Sequence, residues 1–157
     1  MPYDVALICK NGHVINSYYH GSPENNSFFC SKCGAPTISQ CPHCQKEIRG
    51  HSTDEFSYLA KYHVPAYCQY CGNPYPWTES ALQNAELLIS EEEELSDSLK
   101  DSVINSLPDI ITETPGTNLA IVRVKKCLSS AGKFTADAVR QFVIDFGCEL
   151  AKKSIGL

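Results

Sequence analysis

The chain has 157 residues, 43% of them hydrophobic, and sets 13 Lys and Arg against 18 Asp and Glu for a formal net charge of −5. That length holds one domain or two small ones, and the acidic balance withholds the cationic excess on which non-specific nucleic-acid binding depends. No window approaches the apolar length of a membrane span. The start, Met-Pro-Tyr-Asp-Val-Ala-Leu-Ile-Cys-Lys, has neither the basic opening nor the long apolar run of a secretory signal.

The first half is punctuated by Cys, Gly, Pro and His. Val5 to Cys9 and His13 to Asn16 flank Asn11-Gly12, a tight-turn dipeptide, which predicts a hairpin. Residues 20–27 are polar and read as a loop. Ser27-Phe28-Phe29-Cys30 then leads into a Cys-x-x-Cys knuckle. Gly34 and Gly72 each follow the second Cys of a pair, where a glycine lets backbone N–H groups approach the sulfurs. Residues 45–67 carry Ile48-Arg49-Gly50 and a run of aromatics, Phe56, Tyr58, Tyr62 and Tyr67. Asn73-Pro74-Tyr75-Pro76-Trp77 marks the expected boundary. Its two prolines argue against helix there, and Trp77 can cap a small core.

Helical periodicity follows. Ala81, Leu82, Ala85, Leu88 and Ile89 fall on one helical face. Ser90-x-x-Glu93 has the capping-box pattern and predicts a restart, with a stripe of Leu95, Leu99, Val103 and Leu107 ending before Pro108. A third segment, about 117–130, has enough β-branched residues to leave strand open, and Gly132 closes it. A last helix over 136–153 carries Ala138, Val139, Phe142, Val143, Phe146 and Leu150 on one face, with Lys152 and Lys153 at its end. The fold class expected is α+β: a β-rich module over 1–77, then an acidic α-helical region over 78–157 with about four helical segments.

Four pairs of soft ligands lie in the first 71 residues: Cys9/His13, Cys30/Cys33, Cys41/Cys44 and Cys68/Cys71. A tetrahedral zinc site is usually assembled from two such half-sites. Eight ligands therefore predict two structural zinc ions and a β-rich double zinc-ribbon module. Sequential pairing joins the first half-site to the second and the third to the fourth. A nested form pairs the inner two and the outer two, and a RING-like cross-brace alternates them. Sequential pairing is favoured. His20 is the substitute if His13 is not a ligand. Seven ligand thiolates outweigh two zincs and take the chain to about −8.

A redox dithiol needs one Cys-x-x-Cys on a βαβ scaffold, not three in a row. Nine cysteines, six of them in such pairs, suit a reducing compartment better than a disulfide scaffold, so a cytoplasmic protein is expected. Cys127 and Cys148 lie in helical segments and read as free thiols. His43 reads as solvent-facing, and His51 and His63 as surface or core-edge residues.

Cys9-x-Asn-Gly-His13, Phe29-Cys30-x-x-Cys33-Gly34, Cys41-Pro42-x-Cys44, Ile48-Arg49-Gly50 and Pro65-Ala66-Tyr67-Cys68-x-x-Cys71-Gly72, through Tyr75-Pro76-Trp77-Thr78, resemble a family of small bacterial zinc-ribbon proteins described only as a domain of unknown function. The resemblance implies a bacterial zinc protein of the cytoplasm and attaches no activity to it.

No catalytic residue is expected. Every half-site is complete, whereas a catalytic zinc keeps a position open. His-Glu-x-x-His, P-loop and Gly-x-Ser-x-Gly motifs are missing from the sequence, and nothing fixes Glu47 or Glu55 as a general base. The expected function is a non-enzymatic adaptor or regulator acting on a protein partner, with Arg49, Tyr58, Tyr62, Tyr67, Tyr75 and Trp77 as candidate contacts. A nucleic-acid-associated regulator, which the acidic charge disfavours, and an accessory or RING-like subunit of an enzyme complex are the alternatives. The run Glu91 to Glu94 reads as the solvated first turn of a helix.

Overall fold

A computed structural model describes residues 2–54 and 56–155. The chain divides into two compact units, Met1–Glu79 and Ser80–Leu157.

The first unit is built from very short strands because its chain turns at every ligand pair. β1 (Tyr3–Val5) pairs antiparallel with β5 (Arg49–Ser52), Tyr3 opposite Ser52 and Val5 opposite Arg49. β2 (Leu7–Cys9) lies between β3 (Val14–Asn16) and β4 (Thr37–Ile38) in a second antiparallel sheet. The segment Val5 to Cys9 is thus not one strand. At Ala6 the chain passes from one sheet to the other, and the Ala6 N–H donates to the Ile48 carbonyl at 2.9 Å. The Asn11-Gly12 turn forms as the sequence predicts. Gly12 has φ +94° and donates to the Cys9 carbonyl. A methyl group there would lie 3.0 Å from Cβ of Trp77, so both conformation and space demand glycine.

The core of this unit gathers Ala6, Ile8, Cys41, Ile48, Cys68, Tyr75 and Trp77, with Ile38, Tyr62 and Val64 packed against it. Gly50 has no room for a side chain, since a Cβ would meet the Ser17 carbonyl oxygen at 2.5 Å and backbone atoms of Val5 and Asp4.

The second unit is helical. α1 (Pro76–Ser90) begins at Pro76, against the expectation that the prolines forbid helix. At the first helical position proline gives up only an N–H that has no partner in the helix, and its fixed φ already suits one. α2 (Asp97–Ile111) is not started by a Ser90 capping box. Ser90 ends α1 and its hydroxyl donates to the Glu86 carbonyl, while Ser96 is the N-cap and accepts from the Leu99 N–H at 3.2 Å. α2 also runs through Pro108 instead of ending before it. The proline forgoes a bond to Ile104, but Leu107, Ile110 and Ile111 around it are all buried, and their packing outweighs that local loss.

The third segment, where strand was open, is α3 (Thr117–Ser130). Its buried Ala120, Ile121, Val124 and Cys127 keep helical spacing, and tertiary burial overrides the β-branched composition. The expected last helix is two, α4 (Lys133–Phe146) and α5 (Glu149–Ser154), which makes five α-helices among the described residues in place of about four. Gly147 separates them. It turns to an extended ψ of 149°, and the Cys148 N–H bonds to the Ile110 carbonyl. A Cβ on Gly147 would sit 2.5 Å from the Val143 carbonyl oxygen.

The acidic run is not the first turn of a helix either. Glu91 to Glu94 connect α1 to α2, and the Glu92 carboxylate sits at the N-terminus of α4, where it meets the Thr135 hydroxyl and the Gly132 N–H. It also accepts the Glu94 N–H at 3.1 Å. The Thr135 hydrogen bond, then the Glu94 N–H, lowers its pKa below the usual glutamate value of 4.5. A depressed carboxylate contributes stability that is present above its unfolded pKa and is lost as pH falls through the folded value. Glu92→Gln is therefore expected to lower the thermal midpoint at neutral pH, with the difference from wild type shrinking as pH falls below the ordinary glutamate value and through the lowered folded one. A difference that stays constant with pH would show that the charge at this cap contributes nothing.

Candidate metal centres

Each Cys-x-x-Cys pair is held by the same local device. The residue before the first Cys bridges to the residue three after the second or its equivalent: Phe29 to Pro36, Gln40 to Glu47, Tyr67 to Pro74. After the second Cys comes a left-handed residue whose N–H closes the turn on the first Cys carbonyl. These are Gly34 (φ +76°), Gln45 (φ +64°) and Gly72 (φ +75°). The middle knuckle was harder to see as a copy because glutamine, not glycine, takes this position. Cys9 and His13 come instead from the two sides of the β2–β3 turn, joined by the Cys9 N–H to the His13 carbonyl.

The eight residues fall into two groups, Cys9, His13, Cys30, Cys33 and Cys41, Cys44, Cys68, Cys71. This is the sequential pairing. Within each group the ligand atoms lie within 4.8 Å of one another. A tetrahedral site with Zn–S bonds of about 2.3 Å has S···S edges of about 3.8 Å, and slightly shorter edges to a histidine nitrogen. The distances here are 3.7 Å for Cys9–Cys33, Cys41–Cys71 and Cys44–Cys68, and 3.5 and 3.6 Å from His13 Nδ1 to Cys9 and Cys30. Both groups fit a zinc ion; the first uses Nδ1 of His13 as its one nitrogen ligand, and the second is all sulfur. His20 takes no part. Its backbone N–H donates to the Asp4 carboxylate.

A second ring of donors faces the sulfurs. The N–H groups of His13, Lys32 and Tyr70 donate to Cys9, Cys30 and Cys68 at 3.3–3.4 Å. The side-chain amides of Asn11 and Asn73 donate to Cys33 and Cys71 at 3.3 and 3.4 Å. The Ala35 N–H, followed by the Asn11 amide, brings the Cys33 thiol down to about 6. The Asn73 backbone, followed by its side chain, lowers Cys71. Donors of this kind favour the thiolate, the form that binds metal. Asn11 reads in the sequence only as a turn residue and Asn73 only as part of the boundary segment. Their spacing from cysteine was the available signal. In every knuckle the first Cys is buried, while Cys33 and Cys71 are exposed and Cys44 is half-buried.

The aromatic stretch divides on folding. Arg49, Tyr62, Tyr67 and Tyr75 line one groove of about 230 Å³, together with Glu47, Gly50, His63, Pro65 and Gln69. The Arg49 guanidinium stacks 4.4 Å from the Tyr3 ring centre, and the Tyr62 hydroxyl donates to the Arg49 carbonyl at 2.5 Å. Burial raises the Tyr62 phenol well above its ordinary pKa. Trp77, a candidate contact from the sequence, is 3% exposed and belongs to the core, where its indole N–H bonds to the Pro65 carbonyl at 2.9 Å. Tyr58 lies outside the groove lining, 69% exposed on the 3-10 turn Ser57–Leu59. Glu55 is outside the described residues. His51, read as a surface or core-edge residue, is buried. Its Nε2 donates to the Ala60 carbonyl at 2.6 Å and its ring stacks on Tyr18. His43 is exposed, and Cys127 is a buried free thiol.

Two closed four-ligand sets, built from three alike knuckles and a hairpin, define a protein of the zinc-ribbon type. The chain belongs to the family described as "Uncharacterized protein conserved in bacteria" (DUF2321), whose match covers residues 2–155 and so takes in the helices as well. No curated protein and no solved structure matches the chain. Among the described residues, no helix is long and apolar enough to cross a membrane.

Proposed function

We propose that the protein is a non-enzymatic, zinc-stabilised adaptor or regulator that works through protein–protein contacts at the groove around Arg49. One observation carries this reading. Both metal groups spend all four positions on protein ligands, leaving none for water or substrate, and beside them lies an aromatic groove with a charged fork at its lip. Among the described residues Arg49 makes no ion pair, and its stack on Tyr3 holds the guanidinium in place before any partner arrives. Tyrosine and arginine held in this way are the usual anchors of an interface. The thiol-rich ligand sets suit a reducing compartment, so the reading places the protein in the cytoplasm.

The test is a capture of partners from the native bacterial host by zinc-loaded protein, with and without nuclease, repeated with Arg49→Ala. A partner that survives nuclease and loses about thirtyfold in affinity, or about 2 kcal/mol, on Arg49→Ala supports the adaptor. Native mass spectrometry should show both zincs retained in the variant. Partners released by nuclease would move the reading to nucleic acid, and a partner indifferent to Arg49→Ala would remove this groove from it.

A further inference from the structure

The helical unit holds a second groove, apolar and unlike the first. Its walls are α1, through Ala81, Ala85 and Leu88, and α4, through Ala138 and Phe142, and buried Leu107 of α2 also lines it. The volume is about 330 Å³. The alanines keep both walls low, which leaves a trough wide enough for the large side chains of a helix. Asp145 stands at the edge and, among the described residues, accepts one hydrogen bond, from the Gln141 amide at 3.0 Å. No Lys or Arg lines the groove.

The complement to this trough is on the same chain. α3 carries Arg123, Lys125 and Lys126 and no acid. Arg123 is turned inward to the Ser106 hydroxyl at 3.0 Å, but Lys125 and Lys126 are exposed. Leu119 and Val122, one helical turn before them, are 53% and 49% exposed. An i, i+3 apolar pair followed by two cations complements an apolar trough with a carboxylate, Asp145, at its edge.

We infer that the protein self-associates, with the Leu119–Val122 face of α3 of one copy lying in the α1–α4 groove of a second copy and Lys125 and Lys126 placed toward Asp145. Nothing in this contact involves the Arg49 groove, so it stands or falls independently of the adaptor reading. Reciprocal contacts about a two-fold axis give a dimer, and a one-way contact gives a ring or chain.

The test is the mass of the zinc-loaded full chain by sedimentation or light scattering over a hundredfold range of concentration. The expected result is a rise above the monomer mass of 17.3 kDa. Leu119→Asp should abolish the rise, with far-UV circular dichroism confirming that the helices persist. Lys126→Glu and Asp145→Lys should each weaken association at least tenfold, and mixing the two variants should restore it. Wild-type protein that stays monomeric throughout overturns the inference. So does association unaffected by Leu119→Asp, or charge-reversed variants that fail to recover on mixing.

Discussion

Chelation of the metal is expected to unfold the first unit while the helices persist. The core there is seven side chains, and two of them, Cys41 and Cys68, are ligands of one metal group. So few apolar groups cannot offset the ordering of nearly eighty residues of loop and short strand. A structural zinc contributes about 10–16 kcal/mol of apparent binding free energy at neutral pH, and in such modules that energy is folding energy. The chain has a single tryptophan, Trp77, buried in this core, so its emission reports the event directly. On zinc removal the emission should shift to the red while helical circular dichroism is largely kept. An unshifted emission after full loss of metal would show that the fold does not depend on zinc. The pairing gives a sharper form. Cys41→Ser and Cys68→Ser should each lose one and the same zinc, and Cys9→Ser and Cys30→Ser the other, as counted by native mass spectrometry. The first two should disturb Trp77 more, because their metal group shares its core.

Trp77→Ala is expected to cost about 3–5 kcal/mol, the range for deleting a buried aromatic side chain. Trp77 stacks on Tyr75 at 4.8 Å between ring centres, bonds to the Pro65 carbonyl, and covers Gly12 in the turn between Cys9 and His13. Its loss therefore reaches both metal groups, one through Gly12 and the other through the shared core. Because folding and metal binding are one equilibrium, the loss should appear as weaker zinc retention against a competing chelator. Trp77→Phe keeps much of the stack but strands the Pro65 carbonyl, so it should fall between the two. Zinc retention equal to wild type in Trp77→Ala would sink the account.

The ligands were legible because metal chemistry is local: two soft side chains a few residues apart, with a glycine behind them, have few other uses. Their pairing was legible only as a preference, since it depends on which strands meet, and the strands here are two to four residues long. Ser90 and Glu93 matched a capping box, yet the helix began at Ser96, because the pattern cannot say which serine packing will favour. Pro108 fell inside a helix and Gly147 split one for the same kind of reason. The first is carried by buried neighbours, and the second is required by the turn from α4 into α5. Trp77 reads in the sequence both as a cap on a small core and as a partner contact, since composition does not separate an anchor from a core residue; its burial decides for the core. Asn11 and Asn73 needed the fold before they could be seen as partners of sulfur.

The burial of the first cysteine in each knuckle, against the exposure of Cys33 and Cys71, gives each metal an inside and an outside. The inner sulfurs move only if the core moves. The outer ones face solvent, each held by a backbone N–H, of Ala35 or Asn73, and by one asparagine side-chain amide. Retention of an ion is therefore expected to follow the packed half of each site, and the pace of its exchange the donors at the solvent edge, Asn11 and Asn73 among them.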